Sequence, residues 1–287
     1  MIQVPVRGLC NRHYALSTLQ GSSQSLLNVG CVPAAPTPSG SPPPDLAAIT
    51  ALAPGGVLRV GINLSNFLLV SGTADDGSPF GVSPSLAAAL ATALGVPLKL
   101  VTFPDPSAVV DAVGTNDIDV GNVGADPSRA EHVAFTAPYC EIEATYLVRG
   151  KSTIMAIDDV DRPGVRIVSR KGAAYTLWLD RNIGQAQVIH SDSVGQGFEM
   201  FLAEEVEVLA GLRPGLLGDA EKVPGSRLLD GRFTAVQQAI GTRRDRGAPG
   251  LSYLERFVDW AIRSRLVADL IEHHAVRGLS VAAPGSR

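Results

Sequence analysis

Arg129 closes the run Gly124-Ala125-Asp126-Pro127-Ser128-Arg129, directly behind the β-branched residues Ile118, Val120 and Val123. Asp is a good helix N-cap, and Pro suits the first helical position because the N–H it lacks would be unused there. The pattern therefore predicts a helix start at Asp126-Pro127 with Arg129 in its first turn. Free N–H groups at a helix start favour an anion, and a guanidinium beside them can clamp a carboxylate through two parallel hydrogen bonds. The plain alternative is a solvated surface charge, the commoner fate of an isolated Arg. Lys171-Gly172 followed by Ala173, Ala174 and Tyr175 marks a second turn into a helix, again with backbone donors to offer.

The segments that must hold these groups alternate strand and helix. LRVGINL (58–64) reads as a strand ending in a polar turn with Asn63, Ser65, Asn66 and Phe67. ADDGSPFG is a hairpin-like loop. GVSPSLAAALATALGV reads as a helix capped by Ser83, with Pro84 first and Gly95 as its stop. PLKLVTF, VRIVS, QAQVIHS and VEVLAG are further strands, and the remainder PGLSYLERFVDWAIRSRLVADLIEHHAVRG (249–278) reads as helical, with Leu254, Phe257, Val258, Ile262, Leu266, Val267, Leu270 and Ile271 recurring at threes and fours. Such alternation predicts an α/β protein with mainly parallel sheets and a ligand edge at the carboxyl ends of the strands.

The 287 residues suit two lobes of ordinary domain size. A net charge of -4 and no Lys/Arg stripe argue against nucleic acid. No apolar run of about 18 residues could span a bilayer. The three cysteines, Cys10, Cys31 and Cys140, form neither a CxxC pair nor a disulfide framework, and Cys140 reads as a buried small residue. His273 and His274 are adjacent and lack metal-ligand spacing; no metal or other cofactor is expected. There is no GxxxxGK[ST] loop, GxSxG elbow or HExxH helix.

The run IDVGNVGADPSRAEHVAFTAPY, with LRVGINLSNF and GVSPSLAAALATALGVPLKLV before it, resembles the periplasmic solute-binding proteins of ABC importers, family 3, the polar amino-acid type. The resemblance covers most of residues 57–270. It implies the two-lobed periplasmic-binding-protein type II fold, each lobe a mixed sheet flanked by helices, with a two-stranded hinge. Residues 57–145 would form the first part of lobe 1, 146–238 lobe 2, and 239–280 the return to lobe 1. It also implies a monomer that closes on a small carboxylate-containing solute, an amino acid or related organic acid, and passes it to a membrane permease, working in the periplasm or anchored outside the cytoplasmic membrane.

The ligand contacts that the resemblance implies are Asn66, Phe67, Asn122, Gly124 and Arg129 from lobe 1, and Ala173, Ala174, Tyr175 and Arg213 from lobe 2, with Glu143 and Gln238 on the crossings. The chain departs from the family at three places. The aromatic that stacks on the ligand matches Asn66, with Phe67 beside it. The hydroxyl positions of the second helix start are Ala173 and Ala174, leaving backbone donors and Tyr175. The acid that pairs with a ligand ammonium matches Gly211 or Leu212. Either Glu141 or Glu143, which share a strand face, replaces that acid, or the ligand has no α-ammonium and Arg213 joins Arg129 to suit carboxylates at both ends. Gln237 is an alternative to Gln238.

Residues 1–48 read as a Pro/Ser-rich flexible segment holding a divergent export signal, since SLLNVGC resembles a lipoprotein cleavage box ending at Cys31 while Asn28 and ALSTLQGSSQ depart from one. The chain reads as a binding protein and not an enzyme. The alternative is a dehydratase of the cyclohexadienyl/arogenate type on the same fold, using Glu141, Glu143 or the Lys171/Arg213 pair. A transcription-regulator sensor would need a helix-turn-helix partner that residues 1–48 are too polar to form.

Overall fold

Two long antiparallel strands tie the molecule together. The structure, a computed structural model, describes residues 40–284 apart from 132 and 204. The export-signal reading, Cys10 and Cys31 fall on residues 1–39, outside the described part.

In chain order the elements are α1 (Leu46–Leu52), β1 (Leu58–Asn63), the hairpin β2 (Gly72–Thr73) and β3 (Pro79–Phe80), α2 (Val82–Leu94), β4 (Leu98–Phe103), α3 (Pro106–Gly114), β5 (Val120–Gly124), β6 (Val133–Phe135) and β7 (Cys140–Val148). There follow β8 (Arg166–Arg170), α4 (Ala174–Asn182), β9 (Gln187–Ser191), α5 (Val194–Leu202), β10 (Val208–Leu212), α6 (Arg213–Lys222), β11 (Arg227–Leu228), β12 (Thr234–Arg243), α7 (Gly247–Arg263), α8 (Leu266–His273) and β13 (Ser280–Val281).

The strand order β4-β1-β5-β12-β7-β10-β8-β9 builds one curled mixed sheet. β1 lies parallel to β4 and β5 in one half, and β8 lies parallel to β9 and β10 in the other. β12 and β7 pair antiparallel between them, Gln238 opposite Cys140 through Thr234 opposite Ala144, and form the crossing between lobes. β13 adds a short third strand to β7 at Glu141 and Cys140.

Each half has its own apolar core. In the first, Val60, Ile62, Leu86, Leu90, Tyr253, Leu254, Phe257 and Leu270 are buried together, so α2, α7 and α8 cover the β1 side. In the second, Tyr146, Ile167, Leu179 and Val208 pack on one side of the sheet, and Val168, Phe201, Leu209 and Leu216 on the other. Cys140 is fully buried, and burial pushes its thiol well above the ordinary range.

Four local expectations change. α2 is capped by Gly81, not Ser83: at φ 140° a Cβ there would lie 2.6 Å from the Leu69 carbonyl oxygen, so only glycine fits. The helix at Asp126-Pro127 is a single 3-10 turn, Pro127–Arg129, because β6 begins at Val133 to meet β12 and leaves no room for a second turn. α6, unread in the sequence, starts at Arg213 with Pro214 in its first turn. Finally, part of the supposed tether is ordered: Asp45 caps α1 by accepting from the Ala48 N–H, Ala48 and Leu52 are fully buried, and the Tyr253 hydroxyl donates to the Pro42 carbonyl at 3.2 Å. Two apolar side chains spaced by four are enough to dock that turn on α7.

Candidate functional site

A cavity of about 80 Å³ lies between the lobes, at the carboxyl ends of β1, β5, β8, β9 and β10. Its first wall comes from the loop after β1. Asn63 Oδ1 accepts from the Ser65 N–H at 3.1 Å and from its hydroxyl at 2.7 Å, and Asn66 Oδ1 accepts from the Leu68 N–H at 3.3 Å. These side-chain bonds to nearby backbone give the loop a fixed turn. Phe67 stands half exposed at the rim, its ring beside Gly215 of the opposite lobe.

Arg129 reaches the cavity from the 3-10 turn. Its guanidinium donates to the Gly124 carbonyl at 2.5 Å and to the Gly172 carbonyl at 2.6 Å, the second bond crossing between lobes. The side chain is 7% exposed, and desolvation lowers its pKa while Asp126 and Asp105 work in the other direction; it stays charged. Two of its five N–H donors are used by these carbonyls, and the residue lines the cavity.

Facing it is the start of α4. Its N-cap, Ala173, has extended backbone and no side-chain bond to the helix. The first N–H groups of the helix therefore remain open toward the cavity that Ala173, Ala174 and Tyr175 line. Behind them, Thr176 Oγ1 bonds to the Arg170 carbonyl and to Ser169 Oγ, each at 2.6 Å, which holds the turn in shape. Burial pushes the Tyr175 hydroxyl up to about 12, so it is neutral near pH 7.

Of the residues named from the sequence, Asn66, Phe67, Gly124, Arg129, Ala173, Ala174, Tyr175 and Gln238 line this one cavity. Three others do not. Asn122 is buried in β5, where its Nδ2 donates to Ser83 Oγ at 2.9 Å. Glu143 and Arg213 pair with each other, Nε to Oε2 at 2.8 Å, and Arg213 also donates to the Gly231 carbonyl. Glu143 lies on β7 and Arg213 is the first residue of α6, just past the end of β10, which pairs with β7; there they neutralise one another away from the cavity lining. Glu141 is likewise occupied by Arg232 and by Gln237, which removes Gln237 as the alternative to Gln238.

The sequence reading missed two charged lining residues. Arg170 ends β8 and donates to Ser65 Oγ of the other lobe at 3.0 Å. Asp219, buried on α6, receives Lys222 Nζ at 3.0 Å. The signal for Arg170 was available, since it directly precedes the Lys171-Gly172 turn. Asp219 needed the unread helix α6. Among the described residues no cluster of His, Cys, Asp or Glu could hold a metal ion.

Across the cleft the lobes are in contact at three further places. Arg181 of α4 pairs with Asp126 through two hydrogen bonds. Gly124 lies against Ala174, and Gly172 against Ser107. The lobes are closed on each other.

Residues 58–246, more than half of the chain, match the model of the bacterial extracellular solute-binding proteins, family 3. The chain belongs to that family. Solved structures agree on the fold of this family 3 protein. A mutant of ArgBP from T. maritima is 20% identical with a TM-score of 0.64, covering 80% of this chain and 100% of that one. An ancestral amino acid-binding protein, described as a precursor of cyclohexadienyl dehydratase, is 20% identical with a TM-score of 0.63 over 78% and 98%. A binding component of an ABC transporter from Wolinella succinogenes, complexed with lysine, is 20% identical with a TM-score of 0.63 over 76% and 95%. No curated protein matches the solute-binding chain by sequence.

Proposed function

We propose that this chain is the substrate-binding component of an ABC-type importer, working outside the cytoplasm and closing on a small carboxylate-containing solute. The observation that carries the reading is the meeting of Arg129 and the uncapped start of α4 on opposite walls of one cavity, joined by the 2.6 Å bond from Arg129 to the Gly172 carbonyl. A carboxylate placed between them would accept from the remaining guanidinium donors on one side and from the N–H groups of Ala174 and Tyr175 on the other. Because these donors come from different lobes, the full set of contacts exists only when the cleft is shut, and the ligand draws the population toward that form. Gln238 adds an amide at the cavity wall and Phe67 an apolar rim. Two of the structural relatives are named for arginine and lysine.

Arg129→Gln tests the reading. Isothermal titration against a panel of amino acids and organic acids should show the best ligand of the parent bound about 10- to 100-fold more weakly, the loss expected for hydrogen bonds to a charged group. Equal affinity in parent and variant would remove the anchor.

A further inference from the structure

The cavity has an unbalanced charge. Arg129 meets only backbone carbonyls, and Arg170 meets only the Ser65 hydroxyl; among the described residues neither guanidinium has a carboxylate at salt-bridge distance. The single carboxylate on the lining, Asp219, is already engaged by Lys222. Glu143 and Glu141, the acids that could have offset a second cation, are turned to Arg213 and Arg232. Asp126 and Asp105 act on Arg129 from outside the lining. On the lining itself, among the described residues, two guanidinium groups face one carboxylate, and that one is shared with Lys222. Like charges lining one partly desolvated cleft repel, and an anion at each relieves the repulsion.

The placement of Arg170 is specific. It ends β8 in lobe 2, yet its Nη1 donates to Ser65, whose hydroxyl in turn donates to Asn63 at the end of β1 in lobe 1. This chain of hydrogen bonds aims the guanidinium across the cleft and uses one of its five donors. Those left are free for a planar acid group, which a guanidinium binds through two parallel bonds.

We infer that the ligand carries a second acidic group, bound by Arg170, so that the solute is a small dicarboxylate. This rests on the reading of the cleft as a carboxylate site anchored by Arg129. It runs against a cationic amino acid, whose side-chain charge would have to share the cavity with Arg170. The dicarboxylate can come with an α-ammonium, in which case the unpartnered Gln238 Oε1 is the acceptor on the lining, or without one.

Titration calorimetry on the full chain tests it, using L-aspartate and L-glutamate as one arm, succinate and 2-oxoglutarate as another, and L-alanine, L-glutamine and L-arginine as singly acidic comparisons. The expected result is that a diacid from either arm binds at least tenfold more tightly than every singly acidic compound. In Arg170→Gln the ratio of diacid to monoacid affinity should fall about tenfold or more, a selective change that general damage to the fold would not produce. If a neutral or cationic amino acid outbinds all diacids and its binding is lost in Arg129→Gln, the second acid group is wrong while the carboxylate cleft stands. If Arg170→Gln keeps the parent's ratio, Arg170 is not its receptor. If no carboxylate of any kind binds, both readings fall together.

Discussion

Arg181 on α4 holds Asp126 of the opposite lobe through two parallel hydrogen bonds, Nη1 to Oδ1 at 2.9 Å and Nη2 to Oδ2 at 2.7 Å. The pair lies beside the ligand cavity without lining it, so it favours closure whether or not a solute is bound. Asp126 also caps the turn that carries Arg129, accepting from the Ser128 N–H and hydroxyl. One carboxylate thus positions the anchor and fastens the lobes.

Asp126→Asn or Arg181→Gln should loosen the closed form. Arg181 is 40% exposed at its side chain, so solvent screening keeps the pair's contribution to about 1 kcal/mol, enough to change the closed-to-open ratio about fivefold. Distances between spin labels on the two lobes of the ligand-free protein would report the shift. An unchanged distance distribution would show that the pair has no influence on closure.

The same contact predicts a pH dependence. Burial alone would raise the Asp126 pKa, but the hydrogen bonds from Arg181 and Ser128 bring it below the ordinary carboxylate value. A depressed pKa means that the stabilisation is complete above the ordinary value and is lost as pH falls through the lowered one. The closed fraction should therefore be flat near neutrality and decline only in acid, below pH 4 or so. In Asp126→Asn that acid decline should shrink.

Gly124→Ala should damage binding more than folding. A Cβ at Gly124 would lie 2.8 Å from Val236 Cγ1 and 3.0 Å from the Ala174 Cβ of the other lobe. The second contact exists only when the cleft is shut, so the added methyl props it open. Ligand affinity should drop about tenfold or more, while the melting temperature without ligand changes by only a few degrees. Calorimetry and thermal melts on the same sample separate the two effects.

Leu52→Ala addresses α1. Leu52 is fully buried among the residues of the first-lobe core, including Leu254 and Phe257. Truncation should cost about 2–5 kcal/mol, the range for deleting a buried Leu side chain. Urea unfolding would measure it, and a loss below about 0.5 kcal/mol would return this segment to the status of a loose tether.

Cys140 should be chemically silent in the native protein. Full burial raises its thiol pKa and removes access, and the thiolate is the reactive form. In a Cys10→Ser, Cys31→Ser background, a thiol reagent at pH 8 should label Cys140 only after denaturant is added.

The strands and helices were largely readable in order because each announces itself locally. The end of α2 at Gly95 follows from a left-handed residue stopping the helix, and α3 from Asp105 accepting the Ala108 N–H ahead of Pro106. The start of α2 was misplaced by two residues because the restriction at Gly81 comes from Leu69, twelve positions back, which no local rule sees. α6 was overlooked because RPGLLGDAEK has two glycines and almost no amphipathic pattern; packing of Leu216 against Leu209 and Phe201, not helix propensity, makes it a helix.

For the cleft, the residue types made Arg129 and the turn before α4 candidates, and the resemblance to family 3, carried by consecutive positions, selected them over the reading of Arg129 as a surface charge; the fold sets both on the lining of one cavity. Which charges share the cavity was decided by folding alone. Arg213 and Glu143 are seventy positions apart and find each other because β10 lies beside β7, while Arg170 and Ser65, more than a hundred apart, meet because the lobes close. A side chain's type travels with the chain, but its partner depends on strand pairing and lobe contact, and the electrostatic character of the cleft is a property of those partners.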